Sequence, residues 1–101
     1  MSYSRISVLE ARLLLESHGD AGVQIVDVRD EQAYQHEHIP HAAHVDNNNL
    51  QNFIDNADLG VPLLVYCYHG HISQGAASYL NEQGFNQAYS LDGGYEAWKT
   101  Y

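Results

Sequence analysis

The residue of this chain best suited to covalent chemistry is its single cysteine, Cys67. It opens the segment Cys67-Tyr68-His69-Gly70-His71-Ile72-Ser73, which lies between a predicted buried strand and a predicted helix. Backbone N–H groups in a tight loop, with the free N–H groups of the next helical turn, create a concave positive field that binds an anion. Because the thiolate is the nucleophilic form of cysteine, such a field would make Cys67 reactive near neutral pH.

The same cysteine also has a structural interpretation, as a small buried hydrophobic side chain that closes a strand. Gly70 favours the reactive interpretation, because glycine permits a turn that points several N–H groups at one atom. A reactive Cys67 requires that these N–H groups face the sulfur. It also requires that the side chain is not sealed from solvent beneath the helices.

Alternating strands and helices are predicted around this loop by the hydrophobic periodicity. A capping box, Ser7-Val8-Leu9-Glu10, opens the first helix, and Gly19 lies beyond its end. Strands are predicted at about residues 23–28, 43–45, 63–66 and 88–91. Three further helices are predicted from their capping residues, which are Asp30, Asn49 or a neighbouring Asn, and Ser73. A last helix is predicted near residue 101, where Tyr95, Trp98 and Tyr101 form a stripe typical of core packing.

This alternation with short connections predicts right-handed crossovers and a mostly parallel sheet between helices. In such folds the functional crevice lies at the carboxyl ends of the strands, where Cys67 stands. Asp27 and Arg29 close the neighbouring predicted strand, and we expect them to project to opposite sides of it. Asp27 would accept backbone hydrogen bonds that fix the loop near the site, and Arg29 would pair with a carboxylate or line the pocket rim.

Charge and length exclude several classes of protein. Thirteen acidic residues against four Lys and Arg give 101 residues a formal net charge of −9, which disfavours nucleic acid and anionic lipid as partners. One cysteine permits neither an intrachain disulfide nor a thiolate zinc cluster. No run approaches the roughly 20 apolar residues of a membrane span, and the N-terminus lacks the pattern of a secretory signal, so we expect one cytoplasmic domain over residues 1–101.

Four histidines, His36, His38, His41 and His44, cluster in nine residues. Their spacing fits no tight helical pair, and the segment reads as a turn entering a short strand. We expect no metal site there beyond adventitious surface binding, and we expect His38 to satisfy backbone groups of the turn.

Four segments in order resemble the rhodanese family and cover essentially the whole chain. The loop Cys67-Tyr68-His69-Gly70 resembles the family's active-site loop, and Asp27-Val28-Arg29-Asp30 with Tyr34 resembles its first signature. His38-Ile39-Pro40-His41-Ala42 resembles its central turn, and Leu91-Asp92-Gly93-Gly94-Tyr95-Glu96-Ala97-Trp98 resembles its C-terminal motif. The implied fold is a three-layer α/β domain with a five-stranded, mostly parallel sheet and helices on both faces.

The resemblance implies thiosulfate sulfurtransferase activity through a Cys67 persulfide, with cyanide, small thiols or thioredoxin as acceptors and with no cofactor. The loop residues Tyr68 to Ser73 would bind substrate, and Asp27 and Arg29 would support them. A catalytic pair of Cys67 and His69 is a weaker hypothesis, since sulfur transfer needs no strong general base. Two other functions stay open: a non-catalytic interaction module and a dedicated persulfide carrier.

Departures from the family pattern leave the substrate preference open. Glu37 and His41 stand where the family has Gly, and His71 and Ile72 stand where small polar or basic residues are common. Phosphatase or arsenate reductase activity is disfavoured, because a Cys-x5-Arg loop needs the arginine at the position of Ser73 to clamp the oxyanion.

Overall fold

The computed structural model describes residues 3–19 and 22–101, in which five β-strands alternate with five α-helices. The strands are β1 (Ser4–Ile6), β2 (Gln24–Asp27), β3 (Ala43–His44), β4 (Leu63–Tyr66) and β5 (Ala88–Leu91). The helices are α1 (Val8–His18), α2 (Glu31–His36), α3 (Leu50–Asn56), α4 (Ile72–Glu82) and α5 (Gly94–Thr100).

All five strands form one sheet in the order β1-β5-β4-β2-β3, and every neighbouring pair is parallel. This confirms the predicted five-stranded α/β architecture. Strand β4 lies at the centre and is buried at all four positions, as its apolar sequence predicts. The sequence patterns did not locate β1, because a three-residue edge strand with two exposed positions carries no readable alternation.

Each face of the sheet has its own hydrophobic core. On one face, Val8 and Ala11 of α1 and Tyr95 of α5 pack against sheet residues that include Leu64 and Leu91. On the other face, the helices α3 and α4 cover the remaining strand side chains through Phe53, Ala77 and Leu80, among others. Both layers of helices hold the strand ends in place, so the loop after β4 is anchored on a rigid frame.

Two predicted helix caps differ from the structure. The Ser7 capping box is present, with Ser7 Oγ accepting from Glu10 N at 3.1 Å. Helix α4, however, begins at Ile72, so Ser73 lies inside the helix and its hydroxyl turns inward instead of capping. Asn49 occupies the position before α3, but its side chain bonds to Asp46 N and to His44 O, and so it holds the preceding turn.

The histidine cluster has ordinary structural contacts. His38 Nδ1 lies 2.7 Å from Tyr34 O, and its ring stacks on Tyr34 at 4.0 Å, which agrees with its expected role in the turn. His41 adopts φ +73°, a left-handed backbone conformation in which glycine is the less strained residue. Within residues 3–19 and 22–101, no three His, Cys, Asp or Glu side chains are grouped to share a metal ion.

Candidate active site

The cysteine loop places several N–H groups around the sulfur of Cys67. Gly70 N donates to Cys67 Sγ at 3.3 Å, and Ser73 N donates to it at 3.2 Å. The Ser73 hydroxyl oxygen lies 3.4 Å from the same sulfur. The structure therefore meets the first requirement for a reactive Cys67, with donors from the loop and from the first turn of α4 meeting at one atom.

This inward direction of the N–H groups follows from how the loop carbonyls are held. Tyr95 N, in the first turn of α5, donates to Cys67 O at 2.8 Å, and Glu96 N donates to Tyr68 O at 3.2 Å. A trans peptide places each carbonyl opposite the next N–H, so binding Tyr68 O to α5 turns the N–H of His69 toward the sulfur. The free N–H groups of α5 thus orient the loop from outside.

Gln74 and two glycines complete this support. Gln74 Nε2 donates to Gly70 O at 2.8 Å, and Tyr3 donates its hydroxyl to Gln74 Oε1 at 2.9 Å. Gly70 adopts φ +92°, and a Cβ there would lie 2.9 Å from Gly93 N. A Cβ on Gly94 would lie 2.5 Å from both the carbonyl carbon and the oxygen of Tyr68. Side chains at Gly70 or Gly94 would therefore push the loop away from α5.

We expect Gly94→Ala to displace the loop and to lower both stability and turnover. The Cβ would meet rigid backbone, and the glycine stands at φ +61°, so we expect the free energy of unfolding to fall by about 1–3 kcal/mol or more. Chemical denaturation and steady-state assays measure the two effects. Gly75→Ala is the matched control: nothing lies within 4 Å of its Cβ position in α4, so it should stabilise by about 0.5–1 kcal/mol. Equal stability of the two variants would contradict this role of Gly94.

The loop lowers the pKa of Cys67. Burial alone raises the pKa of a thiol, but hydrogen bonds from the Ser73 hydroxyl and from the N–H groups of Ser73, Gly70 and His69 outweigh burial. The resulting pKa lies below the ordinary cysteine value. The Ser73 hydroxyl and the loop N–H groups together therefore favour the thiolate, without a catalytic base.

The second requirement, that the Cys67 side chain is not sealed from solvent, is not met in this structure. Cys67 is only 2% exposed, whereas His69, His71 and Ile72 on the loop rim are exposed, Ile72 to 65%. The cysteine lies at the base of the loop instead of in an open shallow site. A donor must pass the rim, whose exposed side chains change rotamer within nanoseconds.

Asp27 and Arg29 contact each other, so the expectation that they project to opposite sides is wrong. Residues two apart in an extended segment lie on the same side. Arg29 Nη2 donates to Asp27 Oδ2 at 2.7 Å, and its Nε donates to Oδ1 at 3.1 Å. Asp27 also accepts the backbone N–H of Arg29 at 2.8 Å and the Tyr66 hydroxyl at 2.7 Å. The pair is buried and stabilises the ends of β2 and β4, on which the loop rests.

All four Lys and Arg side chains have partners other than Cys67, and the Arg29 guanidinium lies 5.8 Å from the ring of Tyr68 on the loop. Arg5 pairs with Asp92 at 2.8 Å, Lys99 lies 3.4 Å from Glu96, and the Arg12 guanidinium stacks 4.0 Å from the Trp98 ring. Arg29 is held by Asp27. Anion binding at Cys67 thus depends on backbone N–H groups, with His69 and His71 on the exposed rim.

Sequence reasoning identified the loop but missed several supporting residues. Tyr68 donates its hydroxyl to the carboxylate of Asp30, which ties the loop to α2. Gln74 and Ser90 also contact the site, and nothing in their local pattern distinguishes them from ordinary helix and strand residues. None of the helices in the described ranges is both long and apolar enough to cross a membrane.

Comparison with known proteins identifies the family of this chain. The family model described as "Rhodanese-like domain" matches residues 10–101, and the chain belongs to this family. A protein named "Thiosulfate sulfurtransferase GlpE" from Pseudomonas syringae pv. syringae (strain B728a) is 49% identical over 97% of this chain and 89% of its own. Its namesake from Pseudomonas paraeruginosa (strain DSM 24068 / PA7) is 48% identical over 98% of this chain and 86% of its own.

A solved structure supports the fold independently. The crystal structure of a rhodanese-like domain protein from Staphylococcus aureus superposes with a TM-score of 0.80 at 25% identity, covering 94% of this chain and 90% of that one. The resemblance noted in the sequence is therefore confirmed at the level of family and fold.

Proposed function

We propose that this protein is a thiosulfate sulfurtransferase in which Cys67 carries the transferred sulfur as a persulfide. The observation that carries the proposal is the convergence of Gly70 N, Ser73 N and the Ser73 hydroxyl on Cys67 Sγ at 3.2–3.4 Å. The relatives named for this activity, about half identical over nearly the whole chain, support it.

In the first step, the Cys67 thiolate attacks the outer sulfur of thiosulfate. A sulfur–sulfur bond forms to Cys67 Sγ, and the bond to the sulfonate sulfur breaks, so that its electron pair leaves with sulfite. The product is an anionic persulfide, and the total charge is unchanged. The N–H groups of His69, Gly70 and Ser73 are fixed before the reaction and stabilise negative charge on the sulfur atoms, as in an oxyanion-type site.

In the second step, an acceptor attacks the terminal sulfur of the persulfide and regenerates the thiolate. Cyanide would leave as thiocyanate, and a thiolate acceptor would leave as its own persulfide. We propose small thiols or a cytoplasmic dithiol protein such as thioredoxin as the cellular acceptor. The loop rim of His69, His71 and Ile72 is the surface that an acceptor would meet.

Steady-state kinetics test this proposal. With thiosulfate and cyanide, or thiosulfate and reduced thioredoxin, we expect parallel double-reciprocal lines, because sulfite leaves before the acceptor reacts. A dedicated persulfide carrier would form the persulfide but turn over slowly with general acceptors. A non-catalytic interaction module would neither form the persulfide nor turn over.

Thiosulfate affinity is expected to improve with added inert salt. The net charge of −9 repels a dianion, and at 0.1 M salt the Debye length is only about 10 Å. The KM for thiosulfate should therefore fall as salt rises from low ionic strength. The KM for a neutral thiol acceptor serves as the control and should change less. A thiosulfate KM that rises steadily with salt would instead point to an attractive field at the site.

The phosphatase alternative is disfavoured by the same loop. Ser73 occupies the position that an oxyanion-clamping arginine needs, and its hydroxyl points at Cys67 Sγ. A neutral hydroxyl cannot supply the bidentate clamp of a guanidinium.

A further inference from the structure

Behind Cys67 lies a buried chain of two hydroxyl groups. Ser73 Oγ is 3.4 Å from Cys67 Sγ and 2.8 Å from Ser90 Oγ on β5. Both serines are completely buried. A polar strand residue facing a helix in the core is uncommon, and in the sulfur transfer described above Ser90 has no role.

The hydrogen bonds of these two hydroxyl groups depend on the charge of the sulfur. In the described ranges, Ser73 Oγ is the only hydrogen-bond partner of the Ser90 hydroxyl. The chain from Cys67 Sγ through Ser73 Oγ to Ser90 Oγ has two links, and each link uses one proton. A thiol and two hydroxyls supply three protons, so one proton is left without an acceptor in the chain. A thiolate and two hydroxyls supply two protons, and both are used.

The direction of the links also follows from the charge. A thiolate only accepts, so the Ser73 hydroxyl donates to it, and Ser73 Oγ is then free to accept from Ser90. With a thiol, the sulfur proton points to Ser73 Oγ, the Ser73 hydroxyl donates to Ser90 Oγ, and the Ser90 proton lacks a partner in the chain. An unpaired buried donor is unfavourable, so the Ser73 hydroxyl favours the thiolate. A bond donated by Ser90 to Ser73 Oγ polarises that hydroxyl and strengthens its bond to the sulfur.

We propose that Ser90 is a positioning residue for sulfur transfer: its hydroxyl donates to Ser73 Oγ and thereby directs the Ser73 proton onto the Cys67 thiolate. This inference rests on the proposed nucleophilic role of Cys67 and adds a residue from the neighbouring strand β5 to it. Ser90 touches neither the sulfur nor a substrate, so it acts only through Ser73.

The test is the titration of Cys67, followed as the pH dependence of its alkylation by iodoacetamide. Cys67 is the sole cysteine, so the modified group is unambiguous. We expect Ser90→Ala to raise the midpoint of the Cys67 alkylation profile by about half to one pH unit. The alkylation rate at neutral pH should fall by about three- to tenfold. Ser78→Ala, on α4 and half-buried, is the control and should leave the midpoint unchanged.

A double-mutant cycle separates positioning from general packing. If Ser90 acts through Ser73, Ser90→Ala should have little further effect on the midpoint in a Ser73→Ala background. Additive shifts in the cycle would overturn the proposal, and so would an unchanged midpoint in Ser90→Ala. Should Ser90→Ala fail to fold, Ser90→Thr and Ser90→Val replace it, since they differ chiefly by the hydroxyl. Cys67 should then titrate at a lower pH in Ser90→Thr than in Ser90→Val, and equal Cys67 midpoints in the two variants would overturn the proposal.

A negative result for Ser90 is distinguishable from failure of the proposed function. Iodoacetamide reports the thiolate whether or not sulfur is transferred. An unchanged midpoint in an active enzyme would remove Ser90 from the mechanism and leave the sulfurtransferase intact. A native protein without turnover would reject the function whatever the titration shows.

Discussion

Cys67→Ser is expected to abolish sulfur transfer while leaving the fold in place. A serine hydroxyl fits the same space and can accept from Gly70 N and Ser73 N. Its pKa is far too high for the loop to ionise it, so no nucleophile forms at neutral pH. We expect turnover of thiosulfate with cyanide to fall to the rate of the reaction without enzyme.

The fold control is the unfolding transition of the same variant. We expect Cys67→Ser to unfold cooperatively near the native midpoint, because the substitution removes no supporting contact. Cys67→Ala should be equally inactive, although it also removes the acceptor for the loop N–H groups. Measurable enzymatic turnover in either variant would contradict the role of Cys67.

Breaking the buried Asp27–Arg29 pair is expected to have the largest effect on stability. Asp27→Ala removes the carboxylate that accepts from the Arg29 guanidinium and from the Tyr66 hydroxyl. The guanidinium would stay buried without its counter-ion, so we expect the free energy of unfolding to fall by about 3–5 kcal/mol. Urea denaturation measures this difference.

The exposed Arg5–Asp92 pair offers the matched control for this loss. Both of its side chains are well exposed, so Asp92→Ala should change stability little. Residual activity of folded Asp27→Ala would show that the pair supports the site without taking part in the reaction. Similar stability losses in Asp27→Ala and Asp92→Ala would contradict the importance of burial for the Asp27–Arg29 pair.

Much of the fold could be predicted from local sequence patterns. The capping box at Ser7 marked the first helix correctly, and the apolar run at residues 63–66 marked the central strand. Both signals act within a few residues of chain. The edge strand β1 was missed for the opposite reason: its three residues are defined by pairing with β5, more than eighty residues away.

The difference between local signals and contacts with distant segments also explains which parts of the site could be predicted. The loop from Cys67 to Ser73 is contiguous, so its residues could be predicted together. The contacts that orient it come from distant segments: Tyr95 and Glu96 hold its carbonyls, and Ser90 reaches it from β5. The burial of Cys67 was also unpredictable, because it depends on how closely Gly94 lets α5 approach.

The role of Ser73 shows how a local rule can fail. As a small polar residue before a helical pattern it predicts an N-cap. In the structure a stronger demand decides its direction, because its hydroxyl completes the donors around Cys67 and bonds to Ser90. The helix therefore begins at Ile72, two residues earlier than an N-cap at Ser73 predicts, and it has no side-chain cap.

The most direct test of the central claim is the intact mass of the protein after incubation with thiosulfate and removal of excess reagent. We predict that the native protein gains the mass of one sulfur atom and loses it again when cyanide is added. Cys67→Ser should gain nothing. A native protein that gains no mass would contradict the account, and so would a gain that persists in Cys67→Ser, because Cys67 would then not carry the sulfur.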